Sequence, residues 1–263
     1  MKRKLLSNLF AAVIVSYATS VFSEPPHWDH TEQETWWSLQ DTSQAPPLSF
    51  PFAECGVGQH QSPIDLAKAK IEGTEVNPLE ISYPVDNAPV FFNTGHAIQV
   101  NTSSGYTGHL KIGEESFPLT QFHFHEPSEH VVGTTSFPAE LHYVHVKSDG
   151  RLVVLAVAIN LGDQNPVFQT ILDNMPPDSG GKNQNSGLQF DPAALLPKLD
   201  QPIQYFTLAG SLTTPPCSEG VQWYILPKLI TISDAQLTQL KSFYANNNRL
   251  PQEVNGRNIL TGK

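Results

Sequence analysis

Only two cysteines, Cys55 and Cys217, occur in the 263 residues, so a four-cysteine zinc site is excluded by count. Basic charge is also scarce: 15 Lys and Arg stand against 25 Asp and Glu, a net charge of −10. Such a surface repels phosphate backbones and argues against a nucleic-acid partner. After residue 23 the chain has no apolar run long enough to cross a bilayer, no internal repeat, no low-complexity domain and no linker-like stretch. One large domain with a sizeable core is the organisation left.

What the chain does carry begins with a leader. Lys2, Arg3 and Lys4 precede an apolar stretch over 5–22 and small residues near Ser23, the layout of a secretory signal. We expect residues 1–23 to be removed and 24–263 to form the mature domain, with no membrane span. Ser7, Asn8, Ser16, Thr19 and Ser20 inside the apolar run argue against a retained anchor. Export leads to the periplasm or the cell exterior, where an even cysteine count favours a disulfide. Cys55 and Cys217 are therefore expected to pair, the alternative being two buried free thiols.

Residues 24–51 read as an irregular arm anchored by Trp28, Trp36 and Trp37. Short strand-like segments then dominate, over 79–83, 97–101, 109–112, 120–125, 140–146, 152–159, 205–209 and 222–226. Two helices are marked. Asn165 caps the first, with Pro166 at its first position, Phe168, Ile171, Leu172 and Met175 at helical spacing, and Pro176 and Pro177 as its stop. Ser233 and Gln236 form a capping box for the second, which carries Leu237, Leu240 and Tyr244. The tract 180–187 reads as a surface loop. The pattern is that of a sheet-dominated α+β domain with helices packed outside the sheet.

Chemistry concentrates in two of the strands. In Gln121-Phe122-His123-Phe124-His125 polar and aromatic residues alternate, so Gln121 and both histidines share one face of a strand. In Glu140-Leu141-His142-Tyr143-Val144 the same alternation puts Glu140, His142 and Val144 on one face, and an antiparallel neighbour relation would bring the three imidazoles together. Three neutral imidazoles make a tetrahedral zinc site with one open position, which is what a catalytic zinc requires. Gln121 and Glu140 each sit two residues before a proposed ligand and are expected to accept its second ring proton.

With these residues in view, the chain resembles the alpha class of carbonic anhydrases over nearly all of its mature length. The resemblance runs through 59–65 (QHQSPID), 94–98 (TGHAI), 121–125 (QFHFH), 128–130 (SEH), 139–145 (AELHYVH), 210–217 (GSLTTPPC) and 222–226 (QWYIL), in the family's order. It implies a single domain on a large, twisted, mainly antiparallel central sheet, and reversible hydration of carbon dioxide to bicarbonate through zinc-bound hydroxide. It also implies that Thr213 takes the hydroxide proton's hydrogen bond and donates its own to Glu129. Val144, Val154, Leu212, Thr214 and Trp223 would line the substrate pocket, and His96 would carry protons to solvent, since imidazole titrates near neutrality. Sulfonamides and anions would inhibit at the metal. His60, His130 and His145 receive no chemical role.

The chain departs from the best-known animal pattern at His30, where tyrosine is usual, at Thr94 and Gln99, where asparagines are common, and at Glu126, in place of tryptophan. The stretch His125-Glu126-Pro127-Ser128-Glu129 looks more like bacterial members. Two other readings stand beside the enzyme. Some relatives lack zinc ligands and act as binding modules, although all three ligands are present here. A cupin-type metalloprotein would use the His123-x-His125-x3-Glu129 spacing with Glu129 itself on iron or manganese.

Overall fold

The computed structural model describes residues 26–42, 49–75, 77–185 and 187–263. The expected leader, 1–23, lies outside them. Its strands are β1 Lys70–Glu75, β2 Leu79–Ser82, β3 Val90–Asn93, β4 Ile98–Asn101, β5 His109–Ile112, β6 Glu115–His125, β7 Ala139–Val146, β8 Leu152–Leu161, β9 Lys182–Gln184, β10 Tyr205–Ser211, β11 Glu219–Ile232 and β12 Asn258–Gly262. The α-helices are α1 Glu54–Val57, α2 Pro166–Asn174 and α3 Asp234–Phe243.

The strands form one sheet in the order β1-β12-β10-β11-β8-β7-β6-β4-β3-β9, with β2 joined through β5 to β6. Only the pairs β1/β12 and β8/β11 are parallel among the described residues. This is the sheet-dominated, mainly antiparallel fold the resemblance implied. No helix among the described residues is long and apolar enough to cross a membrane.

Strand alternation decides what each face buries. Phe122, Phe124, Leu141, Tyr143, Leu155 and Val157 point to one side, where they pack with Phe168, Ile171 and Leu172 of α2 and Leu240 of α3. Truncating one such buried phenylalanine to alanine typically costs about 3–5 kcal/mol. Both helices start where their caps predict: Asn165 Oδ1 accepts the N–H groups of Val167 and Phe168, and Ser233 and Gln236 form the reciprocal capping box. The other face carries Val154, Ala156, Leu208 and Trp223 and holds the candidate site.

Several expectations need correction. The arm is partly regular, with a 3₁₀ helix over His30–Ser38 whose N-cap Asp29 accepts the Thr31 N–H. Trp36 is fully buried and donates to the Asp29 carbonyl, but Trp37 is 50 % exposed and anchors little. Neighbouring residues on a three-residue turn face different sides, so both could not point inward. The tract 180–187 is not all loop: β9 pairs with β3 at the sheet edge. It is three polar residues long, too short to show a period.

Cys55 and Cys217 form the expected disulfide, 162 residues apart in sequence, in a cluster with Trp36 and Phe52. Closing so long a loop restricts the unfolded chain and contributes at most roughly 5 kcal/mol. We expect Cys55→Ala/Cys217→Ala to lower the unfolding free energy by about 2–5 kcal/mol in urea titrations. A loss below about 0.5 kcal/mol would contradict this.

Candidate metal centre

Strands β6 and β7 run antiparallel with His123 opposite His142 and His125 opposite Glu140. The three imidazoles project from the face away from the phenylalanine core, and one ring nitrogen from each lies within 4.8 Å of the other two. Their ring centroids are 4.7 to 5.3 Å apart.

Each ring has one nitrogen committed elsewhere. His123 Nδ1 donates to Gln121 Oε1 at 2.8 Å, His142 Nε2 to Glu140 Oε1 at 2.8 Å, and His125 Nδ1 to the main-chain carbonyl of Asn247 at 3.0 Å. A neutral imidazole that donates from one nitrogen carries a lone pair on the other. The lone pairs therefore sit on His123 Nε2, His125 Nε2 and His142 Nδ1. His125 Nε2 is buried with no hydrogen-bond partner. Such an orphan costs about 1–3 kcal/mol unless something takes its lone pair, and a divalent cation would. The donor set fits a metal.

Burial keeps the three rings neutral. It lowers His125 to about 4, pushes His123 well below its ordinary value with help from His125 and His142, and lowers His142 against the pull of Glu140. Glu140 is pushed up by burial, but its contacts with His130 and His142 outweigh this and hold it well below the usual carboxylate range. Its Oε2 accepts the main-chain N–H groups of Glu129 and His130, and its Oε1 also accepts His130 Nδ1 at 2.7 Å. His130, Glu140 and His142 thus form a buried triad close enough to hold an ion, but Glu140 Oε1 is already hydrogen-bonded to a ring nitrogen of each histidine.

Glu129 is fully buried behind the rings and outside the three-nitrogen group. Its Oε1 accepts the Arg249 N–H at 2.8 Å and lies 3.4 Å from His125 Nδ1, while Oε2 lies 3.8 Å from His142 Nδ1. Burial raises its pKa to about 7, opposed chiefly by His142 and by the Arg249 N–H, and least by the Thr213 hydroxyl. No hydrogen bond of regular geometry joins Thr213 to it, and Oε2 has no such partner.

A cavity of about 280 Å³ opens over the three rings. Val144, Val154, Leu212 and Trp223 make one wall, Thr213 and Thr214 stand beside them, and Thr94, Gln99 and Gln121 make the polar side. At the mouth, His96 stacks on Trp28 with centroids 3.9 Å apart and planes 12° apart. Burial lowers the His96 pKa, with His27 adding to the effect and Asp29 opposing it. His30 lines the same cavity, and burial takes it to about 3.

Every candidate site residue read from the sequence except the cysteines thus lines this cavity or stands directly behind it. Three residues were missed. Asn247 acts through a backbone carbonyl, which leaves no side-chain signal. His130, given no role, grips Glu140. Arg249 ties Glu129 by its N–H and, by its guanidinium, Gln61 and the carbonyls of Ser62 and Cys55. His145 remains structural, buried between Tyr83 and the Val153 carbonyl.

Comparison with known proteins places this geometry among relatives. Residues 47–263 match the family described as eukaryotic-type carbonic anhydrase. The chain is 34 % identical over 261 residues to a carbonic anhydrase of Pectobacterium carotovorum, covering 99 % of this chain and 100 % of the relative. It superposes on the alpha-carbonic anhydrase of Thermovibrio ammonificans, solved with the inhibitor sulfanilamide, with a TM-score of 0.77 and 34 % identity over 90 % of this chain and 99 % of that one. For the alpha-carbonic anhydrase of Photobacterium profundum the TM-score is 0.76 and the identity 34 %, over 90 % and 100 % of the two chains.

The neutral rings have a consequence for stability. Exposed in an unfolded chain, the histidines titrate near 6.5, whereas in the fold His125 waits until about 4 and His30 and His145 until about 3. On acidification the unfolded chain takes up protons first, so stability is lost as pH falls from about 6.5 through the folded values. Glu129, raised to about 7, opposes this with a single proton. Urea unfolding of the metal-stripped protein should show a lower midpoint at about pH 5 than at about pH 7.5; an equal or higher midpoint would contradict the assignment of buried, neutral rings.

Proposed function

Because the chain belongs to the eukaryotic-type, or alpha, carbonic anhydrase family, we propose that it catalyses the reversible hydration of carbon dioxide to bicarbonate and a proton, with zinc as its cofactor. The observation that carries this reading is the trio of imidazoles, each anchored at one nitrogen and free at the other, beneath a half-apolar cavity. His123, His125 and His142 would hold the ion, and three protein donors leave it one position for water. Bound there, zinc supplies a Lewis acid that makes water far easier to deprotonate, a property for which carbonic anhydrases are themselves the standard illustration.

The chain's own residues do the rest. Gln121, Glu140 and the Asn247 carbonyl fix the ring tautomers so that the lone pairs converge. When ionised, Glu129 can only accept hydrogen bonds, so a Thr213 hydroxyl turned to donate to its unpartnered Oε2 would keep its own oxygen free to accept one. That would order the donors at the cavity floor before substrate arrives, and orientation is where the rate gain lies. Val144, Val154, Leu212 and Trp223, with Thr214 at their edge, exclude water from the wall where carbon dioxide, which offers little to hydrogen-bond, would rest. His96, half-buried in the cavity lining, would take the released proton to solvent.

The cupin-like alternative is disfavoured because Glu129 spends one oxygen on Arg249 and stands outside the nitrogen group. A non-catalytic binding module would not need three free lone pairs on one face. Sulfonamides and small anions should inhibit by occupying the metal, as the sulfanilamide complex of the Thermovibrio relative suggests. The leader-like start and the disulfide support a periplasmic or secreted location.

Zinc content and stopped-flow hydration, measured together, test the ligand set. His142→Ala should lose both, while Glu129→Gln should keep zinc and turn over more slowly. Full activity in His142→Ala would refute the ligand assignment, and zinc loss in Glu129→Gln would favour the carboxylate-ligand reading. His96→Ala should be slower in weak buffer and recover in part with added imidazole, leaving kcat/KM unchanged; a variant indistinguishable from wild type in weak buffer would remove His96 from the proton path.

A further inference from the structure

Glu126 follows ligand His125 directly and is buried, with a side chain only 6 % exposed. A carboxylate in such a place needs partners, and it has two. Oε1 meets Lys241 Nζ of α3 at 2.8 Å, and Oε2 accepts the N–H of Asn246 at 3.2 Å. Asn246 is one of the few non-glycine residues in the left-handed region, with φ 56°. Asparagine tolerates that conformation better than most side chains, and here the Glu126 carboxylate accepts its N–H.

The next residue makes the link to the metal centre. Asn247 is bonded twice to the Glu126 backbone: the Glu126 N–H donates to the Asn247 side-chain Oδ1 at 2.7 Å, and the Asn247 N–H donates to the Glu126 carbonyl at 3.1 Å. The Asn247 carbonyl then accepts from His125 Nδ1. Its side-chain amide also donates to the main-chain carbonyls of His96 and Phe124. A single corner, exposed at Asn246 and buried at Asn247, therefore touches a candidate ligand and the backbone of the candidate proton carrier. The charged pair beside it ties that corner to a helix.

We propose that Glu126, neutralised by Lys241, is a positioning residue for His125: it holds the 246–247 corner so that the Asn247 carbonyl fixes the ring, and thereby sets how tightly the protein retains its metal. The proposal rests on the zinc-site reading above. Removing the carboxylate frees the N–H of the left-handed Asn246 and lets the corner relax away from His125 Nδ1. An amide at the same position keeps an acceptor for that N–H but loses the ion pair.

The test is the rate at which zinc-loaded protein releases its metal to excess chelator. Glu126→Ala should release zinc about 10–100-fold faster, the usual cost of removing an outer partner of a metal-bound histidine. Glu126→Gln should fall between Ala and wild type, and Lys241→Ala, altered only on the exposed side of α3, should release several-fold faster. The visible bands of cobalt-substituted Glu126→Ala should shift. Release within about twofold of wild type in the alanine variants, with only the melting temperature lowered, would overturn the proposal. If Glu126→Ala does not fold, an unchanged rate in Lys241→Ala overturns it alone. Wild-type protein that holds no zinc at all would instead overturn the function from which the proposal starts.

Discussion

The register of β6 against β7 is the constraint on which the candidate site depends. With His123 opposite His142, β6 turns His123 and His125 and β7 turns His142 to the cavity, while Phe122, Phe124, Leu141 and Tyr143 face the core. A slip of one residue on either strand would bury imidazoles among phenylalanines and expose the phenylalanines instead. The register is therefore held by the whole apolar face. Phe122, Phe124, Leu141 and Tyr143, all essentially inaccessible to solvent, place the ring nitrogens as firmly as any contact within the site.

A second layer converts placement into chemistry. Imidazoles brought together in a buried pocket repel protons, and each could sit in either tautomer. Three acceptors of different kinds remove that freedom: an amide oxygen, a carboxylate and a backbone carbonyl. The carboxylate is itself overdetermined, receiving two main-chain N–H groups and two imidazoles. His130 and His142 keep Glu140 ionised against the cost of burial, which gives His130 a purpose that its spacing alone did not show.

The candidate site was legible where side-chain type and period coincide. Alternation in 121–125 and 140–144 marks a shared face, and glutamine or glutamate two residues before a histidine marks an orienting partner. The helix caps were legible for a similar reason, since Asn165-Pro166 and Ser233 with Gln236 encode local hydrogen bonds. What escaped was either backbone or distant. The Asn247 carbonyl lies 122 residues from the ring it orients, and Arg249 reaches Glu129 through an N–H that any residue but proline could supply. Strands β1, β3, β9 and β12 were missed: β1 and β9 are polar edge segments, and β3 (VFFN) and β12 (NILTG) are short runs without polar-apolar alternation. Trp37 was misplaced because aromaticity alone does not set direction on a 3₁₀ turn.

The departures from the animal pattern cluster at two places with different physics. His30, Thr94 and Gln99 line the cavity mouth and change its polar lining. Glu126 changes the support behind His125. The central claim is a single ion held by imidazole nitrogen alone, and zinc-edge X-ray absorption of the purified, loaded protein tests it most directly. The account predicts three imidazole nitrogens and one oxygen at about 2.0–2.1 Å. A first shell containing sulfur, a carboxylate in place of one ring, or fewer than three imidazoles would contradict it.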